Sequence, residues 1–181
     1  MTRILTSLAI VVVTSCFAGS ALAETKYTLS SDNTKLQFVG TKPNGKHEGG
    51  FKAIAGTVTL DGDVTTAKFD VSVETESLFS DDPKLTAHLK SPDFFAIKEY
   101  PKITFVSTKV AKEGNTVQIT GDLTMLGKTK SVTIPANIVM EGNTMKLASS
   151  FTIDRTEWGM TYGKGKIDDR VALTLSISAS K

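Results

Sequence analysis

The stretch Val171-Ala172-Leu173-Thr174-Leu175-Ser176-Ile177-Ser178-Ala179 decides the fold class. Large apolar residues occupy alternate positions from Val171 to Ile177, and small or polar residues stand between them. Because successive side chains of a β-strand point to opposite faces, this alternation predicts a strand with one face toward an apolar interior and the other toward water. The stretch is typical of an all-β protein.

The same period of two recurs along the chain, whereas a sustained helical period of about 3.6 residues is nearly absent. About eight strands are predicted, over residues 36–40, 51–60, 67–75, 102–110, 117–125, 132–140, 147–153 and 171–179. Turn signals such as Glu113-Gly114-Asn115, Leu126-Gly127-Lys128 and Glu141-Gly142-Asn143 separate several of these strands and are short enough for antiparallel hairpins.

Several of the predicted strands are roughly twice the usual length, and each has a single apolar face. Long antiparallel strands of this kind favour a single eight-stranded barrel, because closure removes the sheet edges. A two-sheet sandwich is the alternative, since periodicity alone does not show closure. A barrel of about eight strands has an interior that can hold one slender ligand.

The first 23 residues are predicted to be a signal peptide that is removed. Arg3 gives a positive start, residues 4–13 form an apolar run, and Ala21-Leu22-Ala23 is a typical cleavage site. These features predict a periplasmic or secreted protein whose barrel domain spans residues 24–181. A permanent membrane anchor is one alternative, and lipidation at Cys16, which ends a stretch similar to a lipobox, is another.

The composition is that of an ordinary globular domain, with 40% hydrophobic and 22% charged residues and a formal net charge of +2. The lysines are dispersed rather than gathered in a stripe, which argues against a nucleic-acid partner. Cys16 is the only cysteine in the sequence. After cleavage, the domain therefore has to fold on its apolar core without disulfides.

The β pattern is interrupted at residues 80–101, which we call the flap. Asp82 followed by Pro83 is typical of the start of a helix, and a second turn is expected to carry Phe94 and Phe95. Two interpretations remain open for this apolar segment. It is either a plug that seals one end of a core or a lid over the mouth of a ligand site.

Three motifs resemble signatures of one known family. Residues 88–95, His-Leu-Lys-Ser-Pro-Asp-Phe-Phe, with residues 100–107, Tyr-Pro-Lys-Ile-Thr-Phe-Val-Ser, resemble the central signature of the YceI-like, polyisoprenoid-binding family. Residues 121–129, Gly-Asp-Leu-Thr-Met-Leu-Gly-Lys-Thr, resemble its second signature. Phe-Thr-Ile-Asp-Arg at residues 151–155, followed by Trp158-Gly159, resembles the third. The motifs agree in order and spacing from about Lys26 to Lys181.

The resemblance implies a lipocalin-like antiparallel barrel, usually exported in bacteria, that encloses an isoprenoid or another long amphiphile. It implies no catalysis and no cofactor. Transient contact with a membrane is expected when such a ligand is exchanged. The chain departs from the family at Leu85-Thr86-Ala87, where many members carry an Arg-Asp pair.

Physical chemistry supports a chain-like ligand independently. Each methylene buried in an apolar tunnel contributes about 0.8 kcal/mol, so ten contribute roughly 8 kcal/mol, near micromolar affinity before ordering costs. The tail needs no polar recognition, and one or two polar groups at the mouth are enough for a head group.

The candidate binding residues fall into two sets. Head-group candidates are His88, Lys90 and Arg155, with Trp158 and Tyr162 as nearby aromatic walls. The wall of the interior is predicted to include Phe38, Phe51, Phe69, Phe94, Phe95, Phe105, Ile119, Ile134 and Phe151. The alternatives are a capping or surface role for His88, an ion pair of Arg155 with Asp154 or Glu157, and simple core packing for the wall residues.

Catalysis has little support in the sequence. Only His47 and His88 are available as imidazole bases, and neither lies in a recognisable catalytic or metal-binding motif. Gly163-Lys164-Gly165-Lys166 lacks the spacing of a phosphate loop and is interpreted as a hairpin. The alternatives to a carrier are an envelope stress or interaction module with a filled barrel and, less favoured, a small hydrolase that uses His88.

Overall fold

Eleven antiparallel strands in one curled sheet dominate the computed structural model, which describes residues 24–181. The strands are β1 (Thr25–Leu29), β2 (Thr34–Lys42), β3 (Gly45–Phe51), β4 (Ile54–Leu60), β5 (Lys68–Glu74), β6 (Leu78–Ser80), β7 (Lys102–Glu113), β8 (Thr116–Met125), β9 (Lys128–Glu141), β10 (Thr144–Asp154) and β11 (Arg170–Ser180). The predicted signal peptide, with Cys16, lies outside the described residues.

The all-β, antiparallel class is confirmed, but the count of eight strands is not what the structure shows. Three strands had no counterpart in the predicted set: β1, most of β3, and β6. In β3 the sequence Gly45-Lys46-His47-Glu48-Gly49-Gly50 has no apolar alternation. Strand β6 is only three residues long, and β1 has only Tyr27 and Leu29 as buried apolar side chains.

The order of strands across the sheet is β1-β4-β5-β7-β8-β9-β10-β11-β2-β3-β6. Three pairs of strands that follow one another in sequence are separated only by short bends, at residues 30–33, 52–53 and 75–77. In the first bend, the Asn33 side-chain oxygen accepts a hydrogen bond from the Ser30 backbone N–H at 2.9 Å. These short bends separate β1 from β2, β3 from β4, and β5 from β6.

The hairpins β7–β8, β8–β9 and β9–β10 lie at the predicted turn signals. The β8–β9 turn has positive φ at both central residues, 52° at Leu126 and 70° at Gly127. This is the pattern of a type I′ turn, whose twist matches that of the flanking strands. The positions of these three hairpin turns were therefore predictable from the sequence.

Two apolar clusters lie along the inside of the sheet. The lower cluster consists of Tyr27, Leu29, Val58, Leu60, Ala67, Phe69, Val110, Val117, Ile119, Ile134, Ala136, Met145, Leu147, Ile177 and Ala179. The upper cluster consists of Phe51, Ile54, Val73, Leu78, Leu89, Phe94, Ile103, Met125, Trp158 and Met160. Since each large side chain contributes about 1.5–3 kcal/mol when fully buried, these clusters are the main source of stability.

The flap contains the helix α1 (Pro83–Leu89), as predicted. The Asp82 carboxylate accepts hydrogen bonds from the backbone N–H groups of Lys84 and Leu85 at 2.7 and 3.2 Å. It thereby satisfies two donors that the first helical turn leaves free. Turns follow α1 through residue 99 and bring Phe94 into the upper cluster. Within residues 24–181, no helix has both the length and the apolar character needed to cross a membrane.

Candidate functional site

An apolar cavity of about 310 Å³ lies between the lower and upper clusters. The residues that line it come from both clusters and from the inward faces of β2, β10 and β11. On β2 and β11, Phe38, Leu173 and Leu175 point into this space and are only half-buried. Farther along β11, Ile177 is buried in the lower cluster. The interior is therefore hollow between the two clusters, with Leu173 and Leu175 beside the open space and Ile177 at its packed lower end.

Every residue predicted to form the wall lines this cavity. They are Phe38, Phe51, Phe69, Phe94, Phe95, Phe105, Ile119, Ile134 and Phe151. Their positions agree with the alternation read from the strands, because residues of one face share one side of the sheet. Their contact with a ligand remains a prediction.

Two aromatic rings of the cavity wall, those of Phe38 and Phe105, depend on glycines that lie beneath them. A Cβ atom added at Gly49 would lie 2.5 Å from Cζ of Phe38, and one at Gly121 would lie 2.5 Å from Cζ of Phe105. The centroid of the Phe38 ring also lies 6.2 Å from the centroid of the Phe51 ring. The absence of a side chain at these two glycines lets the rings lie close to the sheet and leaves the centre open.

The β2–β3 hairpin offers a direct test of this packing. Gly49→Ala is expected to lower the free energy of unfolding by about 1–3 kcal/mol, because the new methyl group overlaps the Phe38 ring and the Phe79 carbonyl. Gly40→Ala on the neighbouring strand is the control, since a Cβ there meets no atom within 4 Å. Urea denaturation measures both, and equal stability of the two variants would contradict the packing described.

The flap covers one end of the cavity. Leu85, Leu89, Phe94 and Phe95 all line it from this side. Phe94 is only 5% exposed, whereas Phe95 is half-buried and its ring lies edge-on to that of Phe51 at 5.6 Å. Phe94 thus anchors the flap in the upper cluster, and Phe95 forms part of the cover.

A polar rim, formed by Thr41, Lys42, His47 and Asp168, lines the cavity near the β2–β3 hairpin. The Thr41 hydroxyl donates to the Asp168 carboxylate at 2.5 Å, and the Asp168 backbone N–H donates to the Thr41 carbonyl at 2.9 Å. The sequence did not indicate this rim, because Thr41 and Asp168 are 127 positions apart. The rim is the polar boundary of an otherwise apolar cavity.

His47 in this rim is held by Asp81. The distance from Nδ1 of His47 to Oδ1 of Asp81 is 3.0 Å. This hydrogen bond, with a second from the backbone N–H of Glu48, holds the pKa of the Asp81 carboxyl below its usual range. In the sequence, His47 was considered only as a catalytic base or a metal ligand. Its pairing with Asp81 was not visible there, because the approach of Asp81 depends on the pairing of β3 with β6.

Arg155 lines the cavity, but its guanidinium group holds the loop at residues 159–169. The residue is 3% exposed, and its acceptors are four backbone carbonyls and one carboxylate. They are the carbonyls of Met160, Tyr162, Ile167 and Asp168 and the Oδ1 atom of Asp169, at 2.6–3.4 Å. These bonds occupy the donors of the guanidinium group, so we assign Arg155 a structural role. Its ion-pair partner is Asp169 rather than Asp154 or Glu157.

His88 and Lys90 lie in the flap but do not line the cavity. Nε2 of His88 is 2.9 Å from Oδ2 of Asp93. Nζ of Lys90 donates to the carbonyl and the carboxylate of Glu76, at 2.5 and 2.9 Å. These two of the three head-group candidates are thus engaged with neighbouring carboxylates, Asp93 and Glu76, and their contact with a head group stays a prediction.

The two additional aromatic candidates also lie outside the cavity lining. Trp158 is 1% exposed and donates its indole N–H to the Leu123 carbonyl at 3.1 Å, so it belongs to the packed upper cluster. Tyr162 is 46% exposed, and the centroid of its ring lies 4.7 Å from that of the His88 ring. Trp158 was a plausible wall residue because its position within the third motif does not reveal which way the side chain turns.

A metal centre is not evident in the described part of the chain. No group of three or more His, Cys, Asp or Glu side chains within residues 24–181 is arranged to hold a metal ion. The histidines each have a carboxylate partner, Asp81 for His47 and Asp93 for His88.

Comparison with known sequences identifies a family model and curated relatives. A model described as the YceI-like domain matches residues 27–179. Protein YceI of Escherichia coli strain UMN026 is 41% identical over 96 residues, which are 52% of this chain and 50% of that protein. The chain thus spans about half the length of the curated relatives it matches.

Comparison with solved structures finds the same architecture. BcnA of Burkholderia cenocepacia superposes with a TM-score of 0.73 at 27% identity, covering 81% of this chain and 96% of BcnA. A polyisoprenoid-binding domain from Saccharophagus degradans, implicated in plant cell wall breakdown, superposes with a TM-score of 0.66 at 11% identity, covering 86% of this chain and 97% of that domain. At this identity, the second likeness concerns the fold alone.

Proposed function

The chain belongs to the YceI-like family, and from this premise we propose that it sequesters or carries one polyisoprenoid or other long-chain amphiphile without chemical turnover. The observation that carries the proposal is the apolar cavity between two packed clusters, bordered by polar groups on one side. The open volume also argues against the alternative of an interaction module with a filled interior. The proposed ligand class agrees with the polyisoprenoid-binding domain of similar fold.

The cavity is large enough to make such binding favourable. If a methylene group needs about the volume of a water molecule in the liquid, roughly 30 Å³, the cavity accommodates on the order of ten. Burying ten methylene groups contributes roughly 8 kcal/mol, which exceeds the lower estimates of the cost of immobilising a ligand. An apolar tail alone is therefore sufficient for binding, and the polar rim is free to select the head group.

The strand pairing supports enclosure of the ligand. Strands β1 and β2, β3 and β4, and β5 and β6 are pairs of consecutive strands separated by short bends. With β7 to β11, they make up eight long antiparallel runs. Strand β1 pairs with β4, whereas β2, which belongs to the same run, pairs with β11 and with β3. Because the first run thereby joins the last run to the second, we propose that the eight runs act as one closed barrel around the ligand.

An exported location completes the proposal. Residues 1–23 have the pattern of a signal peptide, which would place the domain in the periplasm or outside the cell. Lipidation at Cys16 would keep it at a membrane instead. Either location suits a carrier whose ligand has to be exchanged through transient contact with a bilayer.

Native mass spectrometry of the freshly purified protein, followed by organic extraction, tests the proposed function. We expect an adduct of a few hundred daltons or more that is lost on extraction and is recovered as a long-chain lipid. Repeated absence of any extracted lipid, together with no rise in melting temperature on addition of geranylgeraniol, would contradict a carrier function.

The flap offers a further prediction. Phe95→Asp is expected to speed the release of radiolabelled geranylgeraniol more than tenfold, because it places a carboxylate over the apolar cavity. Phe95 is preferred to Phe94, since a charge at the nearly buried Phe94 would also destabilise the upper cluster. Lys98→Gln is the control, as it changes the charge equally at an exposed position of the flap. Equal release from both variants would show that the flap is a plug and not a lid.

A further inference from the structure

His47 lies where the apolar cavity meets its polar rim. It alternates with Gly49 and Phe51 on one face of β3, and it lines the cavity together with Phe51. Its cross-strand partner is Gly40 on β2. A Cβ atom added at Gly40 would meet no atom within 4 Å, so open space lies beside the imidazole ring. A head group attached to a tail in the cavity would fit into this space.

Asp81 determines which nitrogen of the His47 imidazole carries the proton. Its Oδ1 atom lies 3.0 Å from Nδ1 of His47, and its Oδ2 atom accepts the Glu48 backbone N–H at 3.2 Å. The Asp81 backbone N–H also donates to the Glu48 carbonyl at 2.9 Å, so the carboxylate is held from several directions. Because a carboxylate only accepts hydrogen bonds, Nδ1 of His47 has to carry the proton. In the neutral ring, Nε2 is then a free acceptor.

We propose that Nε2 of His47 accepts a hydrogen bond from a hydroxyl head group, so that the cavity selects long-chain alcohols or phenols. The proposal rests on the proposed function, since it assumes that the tail occupies the cavity. Charge beside His47 disfavours an anionic head group. The Asp81 carboxylate lies 3.0 Å from Nδ1 of His47, and Asp168 lines the cavity. Of the two cations that line the cavity, Arg155 already donates to five acceptors and Lys42 is exposed.

Three probes with one tail separate recognition of the head group from burial of the tail. They are geranylgeraniol, its methyl ether and geranylgeranyl phosphate, and their dissociation constants are measured by calorimetry with the full domain, residues 24–181. The ether has the same tail but cannot donate a hydrogen bond. We expect the alcohol to bind about three- to tenfold more tightly than the ether, as one net hydrogen bond provides. The phosphate is expected to bind no more tightly than the alcohol.

Variants assign the preference to the His47–Asp81 pair. His47→Phe retains a ring but removes the acceptor, so the ratio of ether to alcohol dissociation constants is expected to fall to about one. Asp81→Ala leaves the ring unoriented and is expected to give an intermediate ratio, because Asp81 is a positioning residue. His88→Phe is the matched control. His88 also pairs with an aspartate, at 2.9 Å, but it does not line the cavity, so the wild-type ratio is expected.

Each outcome separates this inference from the proposed function. If alcohol and ether bind wild-type protein equally, or the phosphate binds most tightly, the head-group assignment is wrong while the carrier function stands. If His47→Phe keeps the wild-type ratio, the assignment to His47 is wrong. If none of the three probes binds, the proposed function itself fails. Should His47→Phe not fold, Gly40→Val provides the same test, since it fills the space beside the ring and suits a strand.

Discussion

Replacing Leu173 with tryptophan is expected to weaken the binding of geranylgeraniol by about fifteenfold while the fold remains intact. Leu173 lies on β11, with Phe151 opposite it on β10 and Phe38 opposite it on β2, and its side chain is a half-buried part of the cavity wall. An indole ring at this position occupies the space of about two methylene groups of the tail. Their displacement costs about 1.6 kcal/mol of binding free energy.

Thr174→Trp is the control for this substitution. Thr174 is the next residue of the same strand, but its side chain is exposed on the outer face of the sheet. The same residue is introduced, and the cavity is left unchanged. Calorimetric titration compares the two variants, and thermal unfolding checks that both are folded. Equal affinity of the two variants would show that the ligand binds elsewhere.

Arg155→Ala is expected to produce the largest loss of stability, about 3–5 kcal/mol. The substitution removes a buried cation and leaves the Asp169 carboxylate and several carbonyls of the loop at residues 159–169 without their donors. For a domain of this size, such a loss lowers the melting temperature by roughly 10 °C. Urea denaturation measures the free energy of unfolding directly.

Two further arginine variants serve as controls for the stability loss of Arg155→Ala. Arg170→Ala removes an exposed arginine of β11 and is expected to change stability by less than about 0.5 kcal/mol. Arg155→Lys keeps the charge but has fewer donors, so an intermediate loss is expected. The contrary result is that Arg155→Ala lowers the free energy of unfolding by less than about 1 kcal/mol while ligand affinity falls. That result would show that Arg155 contacts the head group, as the sequence predicts, and does not hold the loop at residues 159–169.

The fold was predictable where the apolar alternation is continuous. Strands β8 to β11 and their hairpins follow directly from alternating side chains and glycine-containing turns. The first half of the sheet was less accessible. Residues 45–50 form a strand without any large apolar side chain, and β6 is held by three pairings with β3 that no local pattern shows.

The site was predictable to a similar degree. The apolar wall, from Phe38 to Phe151, follows from which face of each strand is apolar. The polar residues were not predictable, because their roles depend on distant contacts. Thr41 meets Asp168, and His47 meets Asp81, only after the sheet has curled. In the same way, the acceptors around Arg155 come from a loop whose path the sequence does not specify.

A crystal structure of the domain soaked with geranylgeraniol tests the central claim most directly. The claim is that the curled sheet encloses an apolar space in which a long chain binds. We predict continuous density for about ten carbons of the tail between Phe38, Phe105 and Phe151, with the flap in place over them. A cavity filled by side chains in both the ligand-free and the soaked crystals would contradict the account.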